Sequence, residues 1–70
     1  MIRQKVHSSN IVSIGYDEST KILEIEFKQG AVYQYREVSE AIFRNLMMAS
    51  SHGQYFHSFI KDRFPTVKIN

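Results

Sequence analysis

ILEIEFKQGAVYQYR, residues 22–36, is the stretch on which the fold turns. Leu23, Ile25 and Phe27 alternate with Glu24, Glu26 and Lys28, and a period of two puts one set on each face of a strand. Ala31 to Arg36 alternates as well, with Tyr33 and Tyr35 on one face and Val32, Gln34 and Arg36 on the other. The turn decides which face is which. A two-residue turn at Gln29-Gly30 sets Phe27 against Val32 and leaves the tyrosines beside the glutamates. A three-residue loop, Lys28-Gln29-Gly30, sets Ile25 against Tyr33 and Leu23 against Tyr35. Two-residue turns need positive φ at both central positions and favour Asn-Gly or Asp-Gly, so Gln29 suits them poorly. The longer loop needs one left-handed residue, at its end, where Gly30 stands. It is the preferred reading, and it turns the tyrosine rings toward a core with only their hydroxyl ends near water. On an open face the same pair would offer a platform for stacking bases.

Working outward, Val12, Ile14 and Tyr16 alternate with Ser13 and Gly15, which predicts a strand over about 11–16. A four-residue loop at Asp17-Glu18-Ser19-Thr20 pairs Tyr16 with Lys21, Ile14 with Leu23 and Val12 with Ile25. All three apolar sets then share one face. With strands over about 21–28 and 31–36 the result is a three-stranded antiparallel meander. Its other face mixes Ile22 and Val32 with Ser13, Glu24, Glu26, Gln34 and Arg36, as on a partly solvated sheet. Arg36 lies diagonal to Glu24 as an ion-pair candidate. Ile22 and Val32 mark either a contact patch or a place for a terminal segment.

Ser39 then suits an N-cap, with Glu40 at the positive end of a helix over about 40–49. Ile42, Phe43, Leu46 and Met47 give it an apolar stripe. Ser51-His52-Gly53-Gln54 fits a Ser-x-x-Gln capping box and opens a second helix over about 52–63. Its stripe is Phe56, Phe59 and Ile60, and Pro65 ends it. Val6 and the alternating Val67 and Ile69 suggest short further strands. The expected architecture is α+β, a three-stranded antiparallel meander with two C-terminal helices packed on one face.

Seventy residues make one domain near the lower size limit for an independent core. The chain has no cysteine, which removes disulfides and thiolate metal sites. No apolar run approaches the ~20 residues of a membrane span, and Met1 to Asn10 lack the apolar centre of a secretory signal. A cytoplasmic location is the expectation. The net charge of +2 permits nucleic-acid binding without demanding it.

Several of these residues resemble a known family in order and spacing. They are Ser8-Ser9-Asn10-Ile11, Ile14-Gly15-Tyr16-Asp17, Leu23, Ile25, Phe27, Gly30, Tyr33-Gln34-Tyr35, and the run Ala49 to Phe56. Together they resemble the KTSC domain, whose hallmark is the central Tyr-x-Tyr. The likeness runs from about Val6 to Phe64. It implies a small, uncharacterised bacterial or phage domain, found alone or at the C-terminus of some lysyl-tRNA synthetases. Through that association it further implies a role in RNA binding, with Tyr33 and Tyr35 as structural motif residues. Two positions depart from the pattern: Ser39 stands where relatives commonly have proline, and His57 where asparagine is common.

The chemistry-bearing residues point the same way. His52 and His57 are five apart, whereas ligand pairs on one helix face prefer three or four, so no metal or cofactor is expected. Ser50 or Ser51, His57 and Asp62 make a triad only on paper, because serines at a helix start are usually caps. No nucleophile elbow or phosphate-cradling glycine loop is present, and no catalysis or small-molecule substrate is expected. The candidate nucleic-acid contacts are Ser51, His52 and Gly53 at the helix start, Tyr55 as a stacking ring, and Lys61 and Arg63 as phosphate partners. The plainer reading of that segment is a capped amphipathic helix. The alternative function is a protein-interaction module or homodimer, through Ile22 and Val32 or an edge strand.

Overall fold

The computed structural model describes all 70 residues. Strands β1 (Gln4–Lys5), β2 (Ile11–Asp17), β3 (Ile22–Phe27), β4 (Val32–Tyr35) and β5 (Thr66–Lys68) form one antiparallel sheet in sequence order. Helices α1 (Glu40–Met48) and α2 (His52–Phe59) lie between β4 and β5 in the chain. The α+β class is as expected, but the sheet has five strands where three were expected. The added strands have 2 and 3 residues, all exposed, so neither carries the inside–outside alternation that announces a strand.

The β3–β4 hairpin takes the three-residue loop. Leu23 faces Tyr35 and Ile25 faces Tyr33. Phe27 N–H donates to the Ala31 carbonyl at 2.9 Å, and Gly30 supplies the left-handed residue with φ 101°. The β2–β3 register differs from expectation by two residues. Tyr16 faces Leu23 and Ile14 faces Ile25, while the loop is carried by residues 18–21. Lys21 closes that loop at φ 57°, a left-handed position that no glycine marks in the sequence. A two-residue slip preserves parity, so the apolar face survives the error. A bulge between Ile11 and Ser13 then flips parity once. Ile11, not Val12, therefore joins the core.

The buried cluster unites Ile11, Ile14, Leu23, Ile25 and Tyr35 of the sheet with Val38, Leu46 of α1 and Ile60 just after α2. Phe43 of α1 stacks on Tyr16 with centroids 4.8 Å apart, and Phe56 of α2 meets Tyr35 edge-on at 5.5 Å. Ser39 and Ser51 cap the two helices, accepting from the N–H groups of Ile42 and Gln54. The second helix ends at Phe59, short of the expected 63. The Ile60 and Lys61 N–H groups both donate to the Phe56 carbonyl at 2.9 Å, and Asp62 turns left-handed at φ 62°, which unwinds the last turn before Pro65.

The other face of the sheet is polar and partly closed by the N-terminal segment. Arg3 pairs with Glu24, and its Nε donates to Ser13 Oγ at 3.0 Å. Gln34 Nε2 donates to Glu24 Oε1 at 2.9 Å. Glu24 is only 6% exposed, and Arg3 rather than Arg36 is its cation. Gly15 makes room for this segment: a Cβ there would stand 2.9 Å from the Ile2 carbonyl oxygen. Val32 is 5% exposed and its carbonyl accepts from the Ile69 N–H, while Ile22 is half-buried, so Val32 adds almost nothing to an exposed patch.

Candidate functional site

A groove of about 450 Å³ opens beside the Tyr-x-Tyr strand. Five separate stretches of chain build it. Asn10 and Ile11 come from the entry to β2; Phe27 and Gln29 from the hairpin; Tyr33 and Tyr35 from β4; Gly53, Phe56 and His57 from α2. Lys61, Asp62 and Thr66 close it from the segment leading into β5. The unwound turn after Phe59 brings Lys61 and Asp62 there, since the left-handed Asp62 redirects the chain. Asp tolerates that conformation better than most residues.

The floor is apolar and locked. Phe27 meets Tyr33 edge-on at 5.9 Å and Phe56 at 5.3 Å, and Tyr35 meets Phe56 at 5.5 Å. Edge-to-face contacts of this kind fix ring orientation and contribute about 0.5–1.5 kcal/mol each beyond area burial. Tyr35 is 4% exposed, and burial, then the nearby Tyr33 and Asp62, push its phenol well above the ordinary range. Its hydroxyl has no hydrogen-bond partner in the protein, yet no unpartnered side-chain oxygen is fully enclosed. The small exposed part of Tyr35 therefore includes the hydroxyl, and Tyr35 is one of the residues that line the groove. The Tyr33 hydroxyl is likewise unpartnered within the chain.

The loop before β2 is held against the start of α2. Ser8 Oγ accepts from the N–H groups of Asn10 and Ile11, both at 3.3 Å. A Cβ on Gly53 would lie 3.6 Å from Asn10 Nδ2 and 3.7 Å from Ser8 Oγ, so this glycine sits against that loop. A second hollow, lined by no hydrophobic side chain, continues from the groove past Asn10, Gly53 and His57 to Ser51, Gln54 and Ser58.

The residues singled out from sequence are divided by this geometry. Gly53 and Lys61 line the groove. Ser51 is the α2 cap and borders the polar hollow. Tyr55 packs on Phe59 at 4.7 Å over a third, shallower depression. His52 Nδ1–H donates to the Leu46 carbonyl at 2.8 Å, so this ring ties the end of α1 to the start of α2. Arg63 is exposed and outside all three depressions. Asn10, His57 and Asp62 were missed as site residues. The signal that could have found Asn10 and His57 was there: one belongs to the Ser-Ser-Asn motif, the other is a departure from the family pattern. No cluster of three metal-ligating side chains exists.

The motif pieces that meet in this groove are those of one sequence family. The KTSC domain profile matches residues 7–64. The chain belongs to the KTSC domain family. A KTSC domain protein from Yersinia pestis, solved by crystallography, is 47% identical, superposes with a TM-score of 0.94, and covers 99% of this chain and 97% of that one. A protein of Tsukamurella paurometabola is 39% identical over 66 residues, spanning 94% of this chain and 98% of its own. The lysine–tRNA ligase of Trichormus variabilis is 42% identical over 60 residues, and that match spans 86% of this chain but 11% of the ligase. The KTSC unit thus occurs both at about the length of this chain and as a small part of a much longer enzyme.

Proposed function

We propose that this KTSC domain is a non-catalytic RNA-binding accessory module of the cytoplasm, and that the groove beside Tyr33 and Tyr35 is its contact site. The observation that carries the reading is the meeting of family-motif residues from distant stretches around one groove with unpartnered hydroxyls. The likeness to lysine–tRNA ligases supports RNA as the ligand class. In this reading the two helices cover the tyrosine-bearing face, so the sheet offers no open stacking platform. Contact is then made by ring edges, hydroxyls and Lys61 at the groove.

Charge supports a modest, site-limited interaction. Net charge is +2, and Arg3 is already held by Glu24. One or two phosphate contacts on a single strand give a slope of log K against log salt of about −0.7 to −1.4. Titrating the full chain with single-stranded RNA and tRNA at several salt concentrations tests this. Binding that weakens with such a shallow slope supports the reading; no binding at low salt removes it. Exposed Met48 and Phe59 favour a second reading, a protein-docking patch. Light scattering across concentrations tests its self-association form.

A further inference from the structure

We infer that the groove holds one unpaired nucleotide of an RNA strand, with the base against the aromatic floor and a single phosphate beside Lys61 and Lys68. This rests on the RNA-binding reading above and names the unit that is bound and how.

Size comes first. The groove of about 450 Å³ falls within the roughly 300–1,000 Å³ of sites that enclose one small ligand. It accepts a single flat ring with its sugar, whereas a stacked, paired base in a duplex cannot enter. Shape and polarity come next. Phe27, Phe56 and the two phenol rings make an apolar bed, and the polar groups stand around it. Asn10 and Gln29 carry amides that both donate and accept, and Asp62 only accepts while ionised. The Tyr33 and Tyr35 hydroxyls have no partner within the protein. A nucleobase edge and a ribose supply donors and acceptors to such a set, and a purely aliphatic ligand would leave them bare.

Charge narrows the ligand further. Lys61 and Asp62 cancel on the groove wall. Lys68 is not itself a lining residue, but it lies directly across from the lining Tyr33 in β5, and paired residues share a sheet face, so it is the next cation along that face. One net positive charge matches a phosphodiester better than a free di- or triphosphate, which brings several negative charges into one place. The polar hollow continues the groove past His57 toward Ser51 and the start of α2. That gives the strand a polar exit track, with the backbone N–H end of a helix along it.

The test uses the full chain with three probes: a uridylate hexamer, a 12-base-pair RNA duplex (an arbitrary length, about one helical turn), and UTP. Amide and aromatic NMR shifts report the site, with Tyr33→Phe, Lys61→Ala, Lys68→Ala and Arg63→Ala as variants. The hexamer is expected to bind more tightly than the duplex or UTP, and to shift Tyr33, Phe56 and Gly53 resonances. Tyr33→Phe keeps the ring and is expected to weaken binding about fivefold, as for one lost hydrogen bond. Lys61→Ala and Lys68→Ala are each expected to weaken it and to flatten the salt slope by about 0.7. Arg63→Ala, outside the groove, is expected to change affinity by less than either. If the hexamer binds but Tyr33→Phe and both lysine variants leave it unaffected, the inference fails and RNA binding stands. Tighter binding of the duplex also overturns the inference alone. If neither RNA binds at low salt, the broader reading fails with it.

Discussion

Leu23 has Tyr16 on one side and Tyr35 on the other, and the two phenols end differently. Tyr16 stacks flat on Phe43 and donates its hydroxyl to the Val38 carbonyl at 2.6 Å. Tyr35 packs edge-on against Phe56 and lines the groove, and its hydroxyl has no partner in the chain. The α1 side of this row is finished as structure, while the α2 side keeps a polar group facing outward. A hydroxyl open to water carries little penalty for lacking a protein partner, so it is free to bond a ligand. The contrast is what separates a framework tyrosine from a candidate contact tyrosine of the same residue type.

Four substitutions would break or sharpen the contrast. Leu46→Ala, at a fully buried position, should destabilise the protein by about 2–5 kcal/mol and blur both sides, since their shared core loses its packing. Chemical denaturation measures that loss. Arg3→Ala acts on the far face. It strips Glu24 of its cation and should cost about 1–3 kcal/mol while leaving RNA affinity unchanged. A loss of affinity there would move the contact site off the groove. Tyr16→Phe removes one satisfied hydrogen bond and should cost about 1 kcal/mol. Tyr33→Phe should leave stability within about 0.5 kcal/mol, because no protein group loses a partner.

Alkaline titration tests the burial of the Tyr35 phenol. Burial holds the folded Tyr35 pKa above the ordinary 10.0, so the folded state keeps a proton that the unfolded state gives up. The stability due to this group is intact below pH ~10 and is lost as pH rises from there toward the folded value. Tyr35→Phe should remove its share of that loss, seen as a shallower fall of stability with pH. An unchanged profile would mean that the Tyr35 phenol is solvated like a free one.

The hairpin register was legible because Gly30 is a visible turn signal and because a wrong loop would have reversed the face of both tyrosines. The β2–β3 slip was not, because Lys21 takes its left-handed turn without a glycine and the Ile11–Ser13 bulge leaves no compositional mark. Strands β1 and β5 were only hinted at by Val6, Val67 and Ile69. Both are short, exposed edge strands, and β5 pairs with β4 across the whole helical segment. Both helix caps could be read from Ser39 and Ser51, since capping is local chemistry. The groove could not, for the opposite reason. Asn10, Tyr33, His57 and Asp62 lie far apart in sequence and meet only through the sheet order and the unwound end of α2. The tie from His52 to the Leu46 carbonyl of the preceding helix was not legible either, because it depends on how the two helices meet.

The most direct measurement is the paired loss of the two hydroxyls flanking Leu23. Tyr16→Phe and Tyr35→Phe are unfolded in urea under identical conditions. The expected result is a loss of about 1 kcal/mol for Tyr16→Phe and a change within about 0.5 kcal/mol for Tyr35→Phe. Equal losses from the two variants would show that the Tyr35 hydroxyl is bound inside the protein, and the groove would lose the group that marks it as a site.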